Sequence, residues 1–280
     1  MMHKDLELVF NRVIELLKVD ERCKGGWHFG SISRKEEDIY SDYDLVFLVA
    51  GKDFKTFTDD ASKILAKACD EVLLYWGESF NDEYFKNYCS LIRMYKNLHQ
   101  FDLFFINTDY PDNWMSRLHS KGCTRDHIIF DKTGEVAEFL DKGFQTEKDV
   151  YDPIRIIDTY WFHTEMLIKY FKRKDFFKLV NVIHILYQTH VELLLSQYNT
   201  LDWGSIESKI GHCVPDEKRE HLKTYFAKPE FDELEAAVRV GMNLFKTDAE
   251  EICKTKGITY PDIASQVIHY FNQRMISEIF

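Results

Sequence analysis

Three aspartates at the start of two apolar segments are the residues of this sequence that could do chemistry. Asp42 and Asp44 open the apolar run at 45–49, and Asp102 opens a similar run at 103–106. Side chains two positions apart share one face of a strand, so Asp42 and Asp44 are expected to point the same way. Two like charges on one face of an apolar strand are costly unless a cation lies between them. The pair is therefore a candidate ligand for a hard cation such as Mg²⁺ or Mn²⁺.

Asp102 joins this pair if the two strands are neighbours in a sheet. Three converging carboxylates suit a two-metal site that binds triphosphate oxygens, offsets charge on phosphorus and activates an attacking hydroxyl. The sequence leaves open whether Asp102 binds a metal ion or accepts the proton of that hydroxyl. If the third carboxylate lies elsewhere, the next candidates are in the acidic stretch that contains Glu78, Asp82 and Glu83.

Gly30 and Ser31 follow a short apolar segment that ends at Phe29, and ten residues separate Ser31 from Asp42. Gly30 would let the backbone approach a phosphate closely. Ser31 could donate its hydroxyl if a helix begins there with free N–H groups. Gly-Ser alone is a common turn and Asp-x-Asp alone often caps a loop, but the two in this order, followed by a third aspartate, form a much more specific pattern.

The periodicity of apolar residues predicts two regions of different structure. An amphipathic helix is expected over 6–17, and Gly25-Gly26 are expected to end that region. Strands are expected at 27–29, 43–49, 72–76, 89–95 and 101–106, with a helix over 54–69. Beyond residue 112 strand-like runs are absent, and helices are expected at 154–172, 176–198, 216–226, 230–254 and 261–277. The predicted fold is α/β (α+β) with a mixed sheet, followed by an all-helical C-terminal bundle, with the seam between 141 and 152.

Composition limits the partners and the cellular location. The 280 residues carry 36 basic and 47 acidic side chains, and the net charge of −11 argues against nucleic acid and favours a cationic small molecule. The six cysteines lack the paired spacing of a structural zinc site and are expected to be reduced. No signal segment or membrane span is recognisable, so we expect a cytoplasmic protein without a membrane partner.

The order Gly30-Ser31, Asp42-x-Asp44 and Asp102 resembles the polymerase-beta-like nucleotidyltransferase superfamily. In detail the sequence is similar to the streptomycin (aminoglycoside 6-) adenylyltransferases and the related lincosamide nucleotidyltransferases. The resemblance extends over nearly the whole chain. Its weaker matches are Asp20-Glu21-Arg22, Phe101-Asp102-Leu103, a helix from Trp161 to Lys174, and Tyr260-Pro261-Asp262.

This resemblance implies a role for each matched residue. Asp42 and Asp44 would bind metal, Ser31 would contact the nucleotide phosphates, and Asp102 would be a metal ligand or the general base. Residues 1–145 would form the nucleotidyltransferase domain and residues 146–280 a helical acceptor-binding domain.

Four basic residues are further candidates for nucleotide binding. Arg34 and Lys35 lie in the loop between Ser31 and Asp42, and Lys169 and Arg173 lie near the end of the helix that begins at about 154. Lys169 or Arg173 could reach the triphosphate. The alternative is that they are solvated cations, which are favourable at a helix C-terminus.

The resulting hypothesis is transfer of a nucleoside monophosphate, AMP from ATP, to a hydroxyl of a small molecule with release of pyrophosphate. Two Mg²⁺ ions would assist, and ATP or another NTP would be the co-substrate. The expected acceptor is a cationic aminoglycoside; a lincosamide or another hydroxylated molecule is the alternative. A non-catalytic, antitoxin-like binding module is the rival from another class, but such a module has no need for three carboxylates held together. The oligomeric state is left open, and a homodimer is compatible with the sequence.

Overall fold

The computed structural model describes residues 2–144, 150–202, 204–261 and 263–276. The chain divides into two compact units, Met1–Gln145 and Thr146–Phe280. Residues 145–149, in the expected seam, lie outside the described part of the chain. Each unit is described here by itself.

The first unit is built on a mixed sheet, as the sequence predicts, and the sheet has six strands. Its strands are β1 (Cys23–His28), β2 (Tyr43–Val49), β3 (Glu71–Gly77), β4 (Phe85–Met94), β5 (Asn97–Asn107) and β6 (Ile128–Asp131). Their order in the sheet is β3-β4-β5-β2-β1-β6. The pair β2 and β5 is parallel, and the other neighbouring pairs are antiparallel.

Helices cover both faces of the central strands. Helices α1 (Lys4–Val19) and α3 (Phe54–Ala68) pack with one set of β2 and β5 side chains, which includes Leu45, Phe47 and Phe105. The alternate set, which includes Val46 and Phe104, packs with α5 (Glu135–Asp141). Two further short helices are α2 (Gly30–Ser33) and α4 (Trp114–Leu118). Because β2 and β5 are covered on both faces, each contains a continuous apolar run, at 45–49 in β2 and at 103–106 in β5.

Two expectations about this unit are wrong. Gly25 and Gly26 do not end a region; they lie inside β1, where neighbouring strands pack closely. A Cβ added to Gly25 would lie 2.5 Å from the Phe130 carbonyl oxygen, and one on Gly26 would lie 2.3 Å from Phe47 Cδ1. Strands also continue beyond residue 112, because β6 pairs with β1. A four-residue edge strand is too short to show a clear sequence period.

The second unit is helical throughout its described residues. Its helices are α6 (Pro153–Arg173), α7 (Phe176–Tyr198), α8 (Ile206–Cys213), α9 (Asp216–Lys223), α10 (Phe231–Lys256) and α11 (Ala264–Ile276). Asp152 caps α6 by accepting hydrogen bonds from the backbone of Ile154 and Arg155, as the Asp-Pro sequence predicts. Tyr160 and Trp161 are fully buried. The sequence did not predict α8. No described helix combines the length and apolar character needed to cross a membrane.

Candidate active site

The parallel pairing of β2 with β5 brings the three aspartates together. Asp44 lies directly opposite Asp102 in the register of the two strands, and Asp42 immediately precedes β2. One carboxylate oxygen of each residue lies within 4.8 Å of the others. The strands that carry them are neighbours in space although β3 and β4 lie between them in sequence. The condition on which a three-carboxylate cluster depends is therefore met.

The charges of this cluster are poorly compensated. Asp102 is 6% exposed. Burial raises the pKa of Asp42 and of Asp102 above the usual range. Burial also raises the pKa of Asp44, and the charges of Asp42 and Asp102 raise it further, to about 7. A cation placed among these oxygens would remove that electrostatic cost, because it favours the charged form of each carboxyl.

Two buried oxygens, one in the cluster and one on the residue after Gly30, have no hydrogen-bond partner among the described residues. They are Asp102 Oδ1 and Ser31 Oγ. The other Asp102 oxygen, Oδ2, accepts a hydrogen bond of 2.9 Å from Gln100 Nε2. Buried polar atoms are normally paired, so such orphaned atoms indicate a ligand or an ion.

The backbone at Gly30 lies against the carboxylate of Asp44. A Cβ added to Gly30 would lie 1.8 Å from Asp44 Oδ2, and the φ of Gly30 is +60°. Both facts require glycine at this position. The Phe29 N–H donates a 3.0 Å hydrogen bond to the Asp44 carbonyl oxygen, which joins the end of β1 to β2. Helix α2 begins at Gly30, so Ser31 lies in the first turn of a helix, as required for a phosphate-binding role.

The basic candidates lie in different parts of the chain. Arg34 and Lys35 are exposed in the segment after α2. Arg34 Nε donates a 2.9 Å hydrogen bond to Glu36 Oε2, and its charge offsets a small part of the rise in the pKa of Asp44. Lys169 and Arg173 are exposed on α6 of the second unit. The contact of these four residues with a triphosphate stays a prediction.

Gln100 is a site residue that the sequence reasoning did not assign. It lies two residues before Asp102 on the same strand, so its side chain shares a face with that carboxylate. The two-residue period of a strand was the available signal. Gln100 holds one Asp102 oxygen and leaves the other available.

Several other residues that the sequence singled out have structural contacts. Asp82 Oδ1 accepts hydrogen bonds from the backbone of Tyr84 and Phe85, so this residue of the acidic stretch stabilises a turn. Arg22 pairs with Asp20 and with Asp60. The expected match at Asp262 lies outside the described residues.

The chain is similar to a known protein family and to solved structures. Residues 3–274 match the model of a family described as streptomycin adenylyltransferase. Among the solved structures that match is an aminoglycoside 6-adenyltransferase from Bacillus subtilis. It has 12% sequence identity and a TM-score of 0.45, and the alignment covers 98% of this chain and 100% of that chain. No curated protein matches the sequence. Because the family model covers nearly the whole chain, the protein belongs to the streptomycin adenylyltransferase family and is a nucleotidyltransferase.

Proposed function

We propose that this enzyme transfers AMP from ATP to a hydroxyl of a cationic aminoglycoside and releases pyrophosphate. The observation that carries the proposal is the poorly compensated cluster of Asp42, Asp44 and Asp102, together with the buried, unpartnered hydroxyl of Ser31. Family membership supports an NTP as co-substrate and an antibiotic as acceptor. The net charge of −11 favours a cationic acceptor over an anionic one.

The donor atoms of the cluster fit a hard divalent cation. All are carboxylate oxygens, and Asp102 Oδ1 is buried without a partner. Mg²⁺ prefers oxygen ligands and rarely accepts a cage made only of protein, so we propose that Asp42, Asp44 and Asp102 hold two Mg²⁺ together with triphosphate oxygens. Such ions supply charge stabilisation at the reacting phosphate when they are bound.

The protein's own groups bind the nucleotide and accept the proton. Gly30 keeps the backbone close to the phosphates, Ser31 Oγ donates a hydrogen bond to a phosphate oxygen, and the four basic candidates are proposed to contact the triphosphate. The acceptor hydroxyl oxygen forms a bond to the α-phosphorus as the bond to the β-phosphate oxygen breaks. Where Asp102 acts as the base and not as a metal ligand, the proton of that hydroxyl passes to its Oδ1 atom.

The test is release of pyrophosphate from each of the four common NTPs in the presence of single aminoglycosides or lincosamides. We expect release with ATP and an aminoglycoside, dependence on Mg²⁺, and a product heavier by one AMP in the mass spectrum. The Asp42→Asn variant is the control for contaminating activity. Transfer only to a lincosamide would overturn the proposed acceptor, and transfer from another NTP would overturn the proposed donor.

A further inference from the structure

A second group of side chains that could bind a metal ion lies in the first unit and contains none of the three aspartates. His3 precedes α1 as its N-cap residue, Asp5 lies in the first turn of α1, and His99 lies in β5. One nitrogen or oxygen atom of each residue lies within 4.8 Å of the other two. These residues are two and 94 positions apart, so only the fold brings the three side chains together.

The separations of these atoms suit a shared ion better than hydrogen bonds. Asp5 Oδ2 lies 3.8 Å from His3 Nδ1 and 3.7 Å from His99 Nε2. Both separations are too long for hydrogen bonds. Ligands about 2.0–2.1 Å from a tetrahedral Zn²⁺ are about 3.3 Å from one another, so the two histidine–carboxylate separations are within a few tenths of an ångström of that geometry. The third pair of ligand atoms lies within 4.8 Å.

His99 is the strongest single indication of a ligand. Its side chain is 9% exposed, and its Nε2 atom is buried without a hydrogen-bond partner among the described residues. A buried nitrogen left without a partner is costly, whereas coordination would satisfy it.

Neighbouring groups leave Asp5 oriented and His3 weakly hydrogen-bonded, so both are available to bind an ion. Asn97 Nδ2 donates a 2.8 Å hydrogen bond to Asp5 Oδ2, which orients the carboxylate in the way that outer partners orient metal ligands. His3 Nδ1 accepts only a long hydrogen bond of 3.3 Å, from the Asp5 backbone N–H, so little is lost when an ion replaces it.

The group also borders a space where a fourth ligand could enter. His3 and His99 line a cavity of about 530 Å³ together with Gln100 and Asp42. Three protein ligands with one open position is the arrangement of zinc sites that keep a water molecule. The cavity could supply that water.

We propose that His3, Asp5 and His99 form a zinc-class metal site that joins the start of α1 to β5. The site goes beyond the proposed transfer reaction and uses none of the three aspartates, although it borders the same cavity as Asp42. Its two imidazole nitrogens select ions such as Zn²⁺ or Co²⁺ over Mg²⁺, which prefers oxygen ligands.

The test is a calorimetric titration with Zn²⁺ alone, in which the full chain has been stripped of metal and nucleotide. We expect one equivalent to bind with nitrogen ligation, and Co²⁺ to give the intense visible absorption of a tetrahedral site. Because loss of an outer-shell partner already costs about 10–100-fold in affinity, His99→Gln and Asp5→Asn should each weaken binding at least tenfold.

Two matched variants separate this site from other sources of binding. Asp44→Asn removes a carboxylate of the aspartate cluster, and His163→Gln removes a half-buried histidine of α6; neither should change zinc affinity. Circular dichroism checks the fold of each variant, and His3→Gln replaces His99→Gln if the latter unfolds. Equal zinc affinity in the wild type and the ligand variants would overturn the proposal, as would loss of binding in Asp44→Asn.

Discussion

The two units each bury aspartate carboxylates, but they treat the charge in opposite ways. Asp248 of α10 is fully buried and accepts hydrogen bonds of 2.7–2.8 Å from His190, His221 and Lys218. Burial alone would raise the pKa of Asp248, but these hydrogen bonds lower it to about 2. In the first unit, Asp44 lies beside two other carboxylates and its pKa is raised to about 7.

This difference distinguishes a carboxylate whose charge is compensated from the carboxylates of the candidate site. Asp248 finds all its partners within its own unit, so its charge is already stabilised in the folded protein. The cluster of Asp42, Asp44 and Asp102 retains a buried oxygen without a partner. The repulsion between its carboxylates is not compensated in the folded protein. Perturbed carboxylates without internal compensation are typical of sites that act on a ligand.

The largest effect is expected for Asp42→Ala or Asp44→Ala, which should lower the transfer rate by more than about 100-fold. Loss of a residue that only orients a metal ligand already lowers metal affinity or activity by about 10–100-fold, so loss of a direct ligand should cost more. The melting temperature of the metal-free protein should hold or rise, because carboxylate repulsion is relieved. Steady-state kinetics and thermal melts test this. Asp53→Ala is the control, because that side chain forms no capping hydrogen bond. Near-normal turnover in either variant would remove these aspartates from the site.

Asp102→Asn should slow transfer by about 10²–10⁴-fold if Asp102 is mainly the base, with nucleotide binding retained. The rate should then lose the rise with pH that the wild type shows. If Asp102 is mainly a metal ligand, the variant should instead need more Mg²⁺ and be partly rescued by Mn²⁺. Turnover measured against both pH and metal concentration distinguishes these roles. An unchanged rate and profile would place the third carboxylate elsewhere.

Asp248→Asn should lower the free energy of unfolding by about 3–5 kcal/mol, because it leaves buried donors, including the Lys218 ammonium, without their carboxylate. Denaturant unfolding followed by circular dichroism measures the loss. Glu251→Gln removes a more exposed partner of Lys218 and should cost about 1 kcal/mol or less. If the two variants were equally stable, Asp248 would not be the compensated charge that its hydrogen bonds indicate.

Gln100→Leu should reduce transfer by about 10–100-fold, as expected for loss of a group that orients a ligand. The hydrogen bond to Asp102 Oδ2 is lost, whereas the carboxylate itself remains. Asn97→Leu is a matched control, because Asn97 donates to Asp5 and not to the aspartate cluster. Equal rates in the wild type and Gln100→Leu would show that Asp102 needs no positioning.

The pH dependence of stability should have opposite signs for the two carboxylates. The raised pKa of Asp44 means that its contribution to stability is present below its ordinary value of 3.8 and is lost as pH rises through about 7. The lowered pKa of Asp248 gives a contribution that is present above 3.8 and is lost as pH falls towards about 2.

In the presence of a metal chelator, we expect the free energy of unfolding to fall by about 1 kcal/mol between about pH 5 and pH 8. The melting temperature should then fall by roughly 2–4 °C over the same range. Asp44→Asn should flatten this fall, and Asp248→Asn should not. A fall of the same size in Asp44→Asn would assign the pH dependence to another group.

The sequence determined most of the individual elements and the identity of the carboxylates. The two-residue period of an extended segment predicted that Asp42 and Asp44 share one face, and the Asp-Pro signal predicted the start of α6. The structure confirms the mixed sheet and the helical second unit. These predictions succeeded because long segments show a clear hydrophobic period in the sequence. Short elements such as β6 and α8 show too little of this period.

Only the tertiary structure decided which residues meet. Strands β2 and β5 are neighbours in the sheet, although β3 and β4 lie between them along the chain. The distance from Asp44 to Asp102 therefore depends on the order of strands in the sheet and not on local sequence. The same holds for the closeness of Gly30 to Asp44 and for the three partners of Asp248. The sequence fixes which groups can carry charge, whereas burial and neighbours, which are properties of the fold, decide whether that charge is compensated.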